Sequence, residues 1–194
     1  MNARVPSIVT GPPLDTEEGL GPLTLSGWFL QVTEQGGDRE ALVFYENGER
    51  VSWTYGELRG RAFEVARALI AAGVGKGTRV GILMTNRPEC LAAAFGTALA
   101  GGVATMLSTF STKDELEHLL DISCCSVLLL ERSVLKKDFV ELIEIIEPSI
   151  SECAPGNLVS TKFPFLKFVA TLGAGHAAVE DWRTFLARGV EVED

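Results

Sequence analysis

The sequence predicts an α/β fold: a mainly parallel sheet flanked by helices, preceded by an N-terminal β-hairpin. Three observations carry this. Short apolar runs at 79–84, 103–108, 126–130 and 165–172 alternate with stretches of helical periodicity, the pattern that feeds parallel strands through crossover helices. One of these runs, Ser126-Val-Leu-Leu-Leu130, is apolar almost throughout, as expected of a strand covered on both faces. Asn47-Gly48 separates two short strand-like runs, and that pair tolerates the positive φ angles of a tight hairpin.

Taken in order, residues 1–22 are rich in Pro and Gly and carry Asp15, Glu17 and Glu18. They read as an arm outside the folded unit, which is expected to span 23–194. Thr24 or Ser26 can cap a helix carrying Trp28, Phe29 and Val32 and ending at Gly36-Gly37. Strands at 41–46 and 49–53 form the hairpin. Thr54 with Glu57 three positions later makes a capping box. Leu58, Ala62, Val65, Ala66 and Leu69 then fall on one helical face, and Gly73, Gly75 and Gly77 close that helix. Arg79–Met84 is a strand. Asn86 is the expected cap of the next helix, with Pro88 in its first turn. Residues 90–112 carry no charge. Their Ala, Gly and Thr content, broken by Gly101-Gly102, fits a buried helix, a glycine stop and a buried strand better than a membrane span. Thr112 and Glu115 repeat the capping box ahead of Leu116, Leu119 and Leu120. A helix is expected over 136–146, with Phe139, Leu142, Ile143 and Ile146 inward. Residues 149–164 read as irregular, 165–172 as the last clear strand, and 180–188 as a short terminal helix. Crossovers should be right-handed.

A chain of 194 residues, 46% of them hydrophobic, is long enough for one core with a small appendage. Its net charge of −9 argues against nucleic acid as a partner, because phosphates would be repelled. Lys136-Lys137 is too short a basic patch to reverse that. Cys90, Cys124, Cys125 and Cys153 show no disulfide spacing, and no secretory leader is legible. Reduced thiols and a cytoplasmic setting are therefore expected. Cys124-Cys125 with His118 lacks the spacing and the fourth ligand of a zinc site.

Several motifs invite a sharper reading and have a plainer one. Gly75-Lys76-Gly77-Thr78 has the flavour of a phosphate loop. Ile70, however, holds the first glycine position, and a helix precedes where a strand should. It reads as a turn. Gly173-Ala174-Gly175-His176-Ala177-Ala178 fits a dinucleotide fingerprint, but Glu180-Asp181-Trp182 follows too soon for a βαβ unit. His118 lies on the polar side of its helix beside Glu117 and Asp121. Glu115 and its acidic neighbours suit the positive end of that helix. No catalytic, cofactor-binding or metal-ligating residue emerges.

From about residue 40 to 130 the chain resembles the adenylate-forming (AMP-binding) enzymes of acyl-CoA synthetase type. Thr54-Tyr55-Gly56-Glu57-Leu58 matches their opening helix start. Gly73-Val74-Gly75-Lys76-Gly77-Thr78-Arg79-Val80 matches the following turn and strand, with Thr78 where Asp is usual. Asn86, Glu89, Ala98, Gly101, Gly102, Leu107-Ser108-Thr109-Phe110, Asp114-Glu115-Leu116 and the 126–130 strand continue the match. The resemblance implies an N-terminal scaffold fragment of a parent ligase. That parent would join a carboxylic acid to CoA through an acyl-adenylate, using ATP and Mg²⁺, with a place in fatty-acid metabolism. The family's Ser/Thr-Gly-Thr-Thr-Gly-x-Pro-Lys-Gly loop is not in these 194 residues, so no catalytic residue carries over and the isolated chain is expected to be inactive. A stand-alone interaction module, or a small nucleotide-binding domain, are the alternatives. Expected partners are the remaining domains of the parent and, for the isolated chain, a second copy of itself: the uncharged 90–112 region and its sheet edge are the candidate surface.

Overall fold

The computed structural model describes residues 23–46 and 48–192, together with Pro13 and Gly21. The expected N-terminal arm, apart from those two positions, and Asn47 of the hairpin turn lie outside the described residues. The elements follow as α1 (Leu25–Gly36), β1 (Glu40–Glu46), β2 (Glu49–Thr54), α2 (Tyr55–Ala71), β3 (Arg79–Leu83), α3 (Pro88–Leu99), β4 (Val103–Met106), α4 (Lys113–Ser123), β5 (Val127–Glu131), β6 (Ser133–Val134), β7 (Lys137–Asp138), α5 (Phe139–Ile146), α6 (Ser149–Glu152), β8 (Phe168–Leu172), β9 (Val179–Asp181) and α7 (Trp182–Ala187). A 3-10 turn, Arg188–Glu191, ends the described chain.

The centre is a five-stranded sheet, order β4-β3-β5-β8-β9, with every neighbouring pair parallel. Side chains alternate across it, so each strand feeds two cores. Val80, Ile82, Val127, Leu129, Phe168 and Ala170 pack under α2, α3 and α7. Leu83, Leu128, Leu130 and Val169 pack under α4 and α5 with Leu116, Leu120, Phe139 and Ile143. Strands covered on both sides must be apolar throughout, which is why β5 carries no alternation. The hairpin β1–β2 stands apart. Leu42 and Trp53 meet Phe29 of α1, Leu58 and Ala62 of α2 and Phe95 of α3 in a third, smaller cluster.

Both predicted capping boxes form. The Thr54 hydroxyl accepts from Glu57 N at 3.1 Å while Glu57 Oε2 accepts from Thr54 N at 2.7 Å. Thr112 and Glu115 repeat the exchange at 3.3 and 2.8 Å. Each box satisfies two backbone N–H groups that the helix leaves open. Thr54→Ala and Thr112→Ala should each lower stability by about 1 kcal/mol. Urea midpoints unchanged in both variants would show that the caps contribute nothing. At α1 the open choice resolves to Thr24, whose hydroxyl accepts from Gly27 N.

The structure corrects six expectations. The 149–164 stretch read as irregular opens with a short helix, Ser149–Glu152. Asn86 does not cap α3; Arg87 holds the cap position without a side-chain cap bond, because its guanidinium is drawn to Glu89 and Glu131. β4 is not buried: it is an outer strand, with Val103 and Met106 exposed. The 136–146 helix starts only at Phe139, since Asp138 caps it by accepting from Val140 N and Glu141 N, and the preceding residues turn through Leu135 into the β6–β7 ribbon. The last long strand starts at Phe168, after a turn closed by Leu166 N on Phe163 O. The terminal helix begins at Trp182, because 179–181 add a fifth parallel strand. β9 is reached from β8 through residues 173–178 alone, with no crossover helix.

Candidate functional site: the groove at the strand ends

β3 sits between β4 and β5. The chain leaves β3 for β4 on one side and later returns to β5 on the other. The crossovers therefore diverge at the carboxyl ends of β3 and β5, the place in a parallel sheet where loops splay apart and leave a crevice. A groove of about 1040 Å³ opens there. Met84, Met106, Phe110, Val134 and Leu135 make its walls mostly apolar, and Thr85, Ser108, Glu131 and Lys136 add polar edges.

The polar groups are tied to one another. Glu131, the last residue of β5, accepts from Thr85 N at 3.0 Å and Thr85 Oγ1 at 2.6 Å on one oxygen, and from Arg87 Nη1 at 2.8 Å on the other. Arg87 Nε also donates to Glu89 Oε2 at 2.7 Å. Burial opposes ionisation of Glu131, but the Thr85 hydrogen bonds and the Arg87 charge outweigh it and hold the carboxyl below its usual range. Burial likewise disfavours the Arg87 cation, and the two glutamates reverse that and raise its pKa. Across the groove, Lys137 Nζ donates to the carbonyls of Thr109, Phe110 and Ser111 at 3.1, 3.1 and 2.8 Å. That ammonium gathers the loop after β4 onto β7. Arg132 Nε pairs with Asp138 at 2.8 Å and its Nη1 donates to Ala174 O, so the loop between β8 and β9 is fastened to the same end of the sheet.

The residues weighed from sequence do not converge on this groove. His118 is exposed on α4 beside Lys113, Glu117 and Asp121, in a shallow hollow on another face. His176, in the β8–β9 loop, has its Nδ1 2.6 Å from Glu144 Oε1 of α5. The Gly75–Thr78 stretch is a closed turn: Gly75 N donates to Thr78 Oγ1, Thr78 N to Gly75 O and Gly77 N to Gly101 O, so these amides are already engaged. The Gly173–Ala178 stretch opens no helix. A Cβ on Gly175 would lie 2.4 Å from Val179 O, and the glycine is needed because the loop folds back on β9. Cys90 and Cys125 are buried and Cys124 and Cys153 half-buried; burial pushes the Cys125 thiol up. Among the described residues no group of three His, Cys, Asp or Glu side chains could hold a metal ion.

Sequence reasoning missed Thr85, Arg87, Glu131 and Lys137. A signal existed: Thr85-Asn86-Arg87 and Glu131-Arg132 each follow an apolar strand directly, so opposite charges stand at adjacent strand ends.

The comparisons agree with this architecture. The family described as AMP-binding enzyme matches residues 29–175. The chain is 34% identical over 146 residues to the acyl-CoA ligase sidI of Aspergillus fumigatus, covering 75% of this chain and 24% of that protein. It is 31% identical over 150 residues to YngI of Bacillus subtilis strain 168, which is provisionally named an acyl-CoA synthetase, covering 77% and 27%. The chain thus spans about a quarter of the length of the curated relatives it matches. In fold it is similar to the N-terminal domain of FACL13 from Mycobacterium tuberculosis, with a TM-score of 0.60 at 21% identity over 87% of this chain and 36% of that one. It is similar also to the anthranilate CoA ligase AuaEII, with a TM-score of 0.66 at 20% identity over 84% and 27%. The chain belongs to the AMP-binding enzyme family, and its fold is that of the N-terminal part of the CoA ligases. Among the described residues no helix is long and apolar enough to cross a membrane.

Proposed function

We propose that this chain is the N-terminal scaffold of an AMP-forming acyl-CoA ligase. The whole protein would join a carboxylic acid to CoA, with ATP and Mg²⁺, through an acyl-adenylate. The observation that carries the reading is the family match over 29–175, with relatives named as acyl-CoA ligases. That reaction needs phosphate charge to be neutralised and the acid held in line with the α-phosphate. Among the described residues the groups of the groove do not fit the metal. The groove has one carboxylate, and Arg87 and Thr85 occupy both its oxygens. The Lys137 ammonium is spent on three carbonyls. ATP, Mg²⁺ and CoA are therefore assigned to the remaining domains, which are this chain's proposed partners, and the chain's own work is to hold a rigid sheet and its strand-end loops for them. A cytoplasmic setting belongs to the same reading, on the four free cysteines.

The isolated chain should show no acid-dependent ATP–pyrophosphate exchange across a panel of carboxylic acids. Exchange well above background from purified 1–194 would overturn its role as a scaffold. A longer gene product containing this segment should show exchange, and its failure with every acid would overturn the ligase reading instead.

A further inference from the structure

A hollow of about 250 Å³ lies where side chains of β2, α2, α3 and α7 meet. It shares no lining residue with the strand-end groove, so what it takes is independent of the ligase reading. Two tryptophans line it, Trp53 and Trp182, and two carboxylates, Glu64 and Glu89. Both tryptophans are half-buried, and the apolar Val65 and Ala92 beside them are buried. Aromatic surface and negative charge thus face one small space.

The chain itself shows which chemistry the hollow accepts. Arg61, which also lines it, holds its guanidinium carbon 5.8 Å from the Trp53 ring centroid. Its Nη1 donates to Glu64 Oε2 at 3.3 Å. A cation over an indole face beside a carboxylate is the arrangement that recognises organic cations. Arg61 is a loose occupant: its side chain is 56% exposed, and 3.3 Å is long for a charge-assisted hydrogen bond. The carboxylates decide which kind of cation can replace it. Glu89 has both oxygens engaged by Arg87, at 2.7 and 3.3 Å, and Glu64 Oε2 is engaged by Arg61. A primary ammonium needs acceptors for three N–H donors. A quaternary ammonium needs none, and negative potential with aromatic surface is enough to hold it.

We propose that this hollow binds a quaternary ammonium head group of the trimethylammonium type. Trp53 and Trp182 supply the aromatic surface, Glu64 supplies the charge, and the exposed Arg61 swings out to admit the ligand. The net charge of −9 favours the approach of any cation.

The test is a titration of the purified chain with choline at constant ionic strength, followed by the NMR signals of the indole N–H groups. The control ligand is dimethylbutanol, the uncharged tert-butyl isostere of choline. Choline should shift the Trp53 and Trp182 signals saturably in the millimolar range and leave Trp28 unmoved. The isostere should bind about tenfold more weakly, since it lacks the cation. Arg61→Ala removes the internal competitor and should tighten choline binding about threefold. A side chain that only supports the fold would not give a tighter site when removed. In that background Glu64→Gln, which keeps the volume and deletes the charge, should weaken binding about threefold. Trp182→Leu should abolish the shift; should it fold poorly, the Arg61 and Glu64 variants still decide. Equal binding of choline and its isostere, or choline binding indifferent to both of those variants, would overturn the proposal. So would the absence of a saturable shift in both the wild type and Arg61→Ala.

Discussion

Glu131→Ala should lower stability by about 2–3 kcal/mol at neutral pH, measured by urea denaturation. The loss comes less from the missing carboxylate than from what it leaves behind. Thr85 loses the acceptor for both its N–H and its hydroxyl, and the half-buried Arg87 keeps only Glu89. The value lies below that of a fully buried pair because the Arg87 side chain is 32% exposed. Acid gives an independent reading. The Glu131 carboxyl is held below its ordinary value of 4.5 in the folded chain. Its contribution is therefore fully present above about pH 4.5 and is lost as the pH falls through the lower, folded value. Glu131→Gln should cost less than alanine at pH 7, and the gap between wild type and Gln should narrow as the pH falls below 4.5. A gap that stays constant, or widens, would show that Glu131 is held by shape rather than charge.

Gly96→Val should lower stability by about 3 kcal/mol, and Gly96→Ala by about 1–2 kcal/mol, by the same measurement. A Cβ at Gly96 would lie 2.8 Å from both Ala62 O and the Val65 Cβ. Those atoms belong to α2 itself, so the two helices must move apart to admit it. Alanine regains part of the loss through its better helix propensity, and the β-branched valine does not. Gly60 provides a control of opposite sign. Gly96 lies in α3 and Gly60 in α2, and nothing stands within 4 Å of a Cβ added at Gly60. Gly60→Ala should stabilise by about 0.5–1 kcal/mol. Equal effects at both positions would show that propensity, not close helix approach, sets the value at Gly96.

The elements that were legible in the sequence are those whose information is local. Thr54 and Thr112 announce their helices through a glutamate three residues on, and the structure forms both boxes. The inward face Leu58, Ala62, Val65, Ala66 and Leu69 needed only helical spacing, and all five are buried. What was missed depends on distance along the chain. Val103-Ala-Thr-Met is apolar enough for a core strand; that it lies outermost follows only from β5 taking the other side of β3. The start of α5 was misplaced because Asp138 as a cap competes with continuous helical spacing from Lys136. β9 was hidden because three residues carry no periodicity, and its return loop dispenses with a helix. The groove was illegible for the same reason. Glu131 meets Thr85 and Arg87 across 46 and 44 residues of sequence, and nothing local to either strand end reports the other.

The distribution of aromatic side chains across the sheet has a spectroscopic consequence. All three tryptophans stand on or beside one layer: Trp28 by Phe95, Trp53 against Phe44 and Trp182 against Phe185. Trp53 and Trp182 pack against the clusters of the hairpin and of α2, α3 and α7, Trp28 stands by Phe95 of α3, and the layer formed by α4 and α5 holds none. Intrinsic emission is therefore a one-sided gauge of this fold, blind to the half that carries Leu116, Phe139 and Ile143. A melt followed by emission and another followed by far-ultraviolet ellipticity will coincide only if the two layers come apart together. Their divergence would date the loosening of the silent layer, and a tryptophan placed at Phe139 would make it visible.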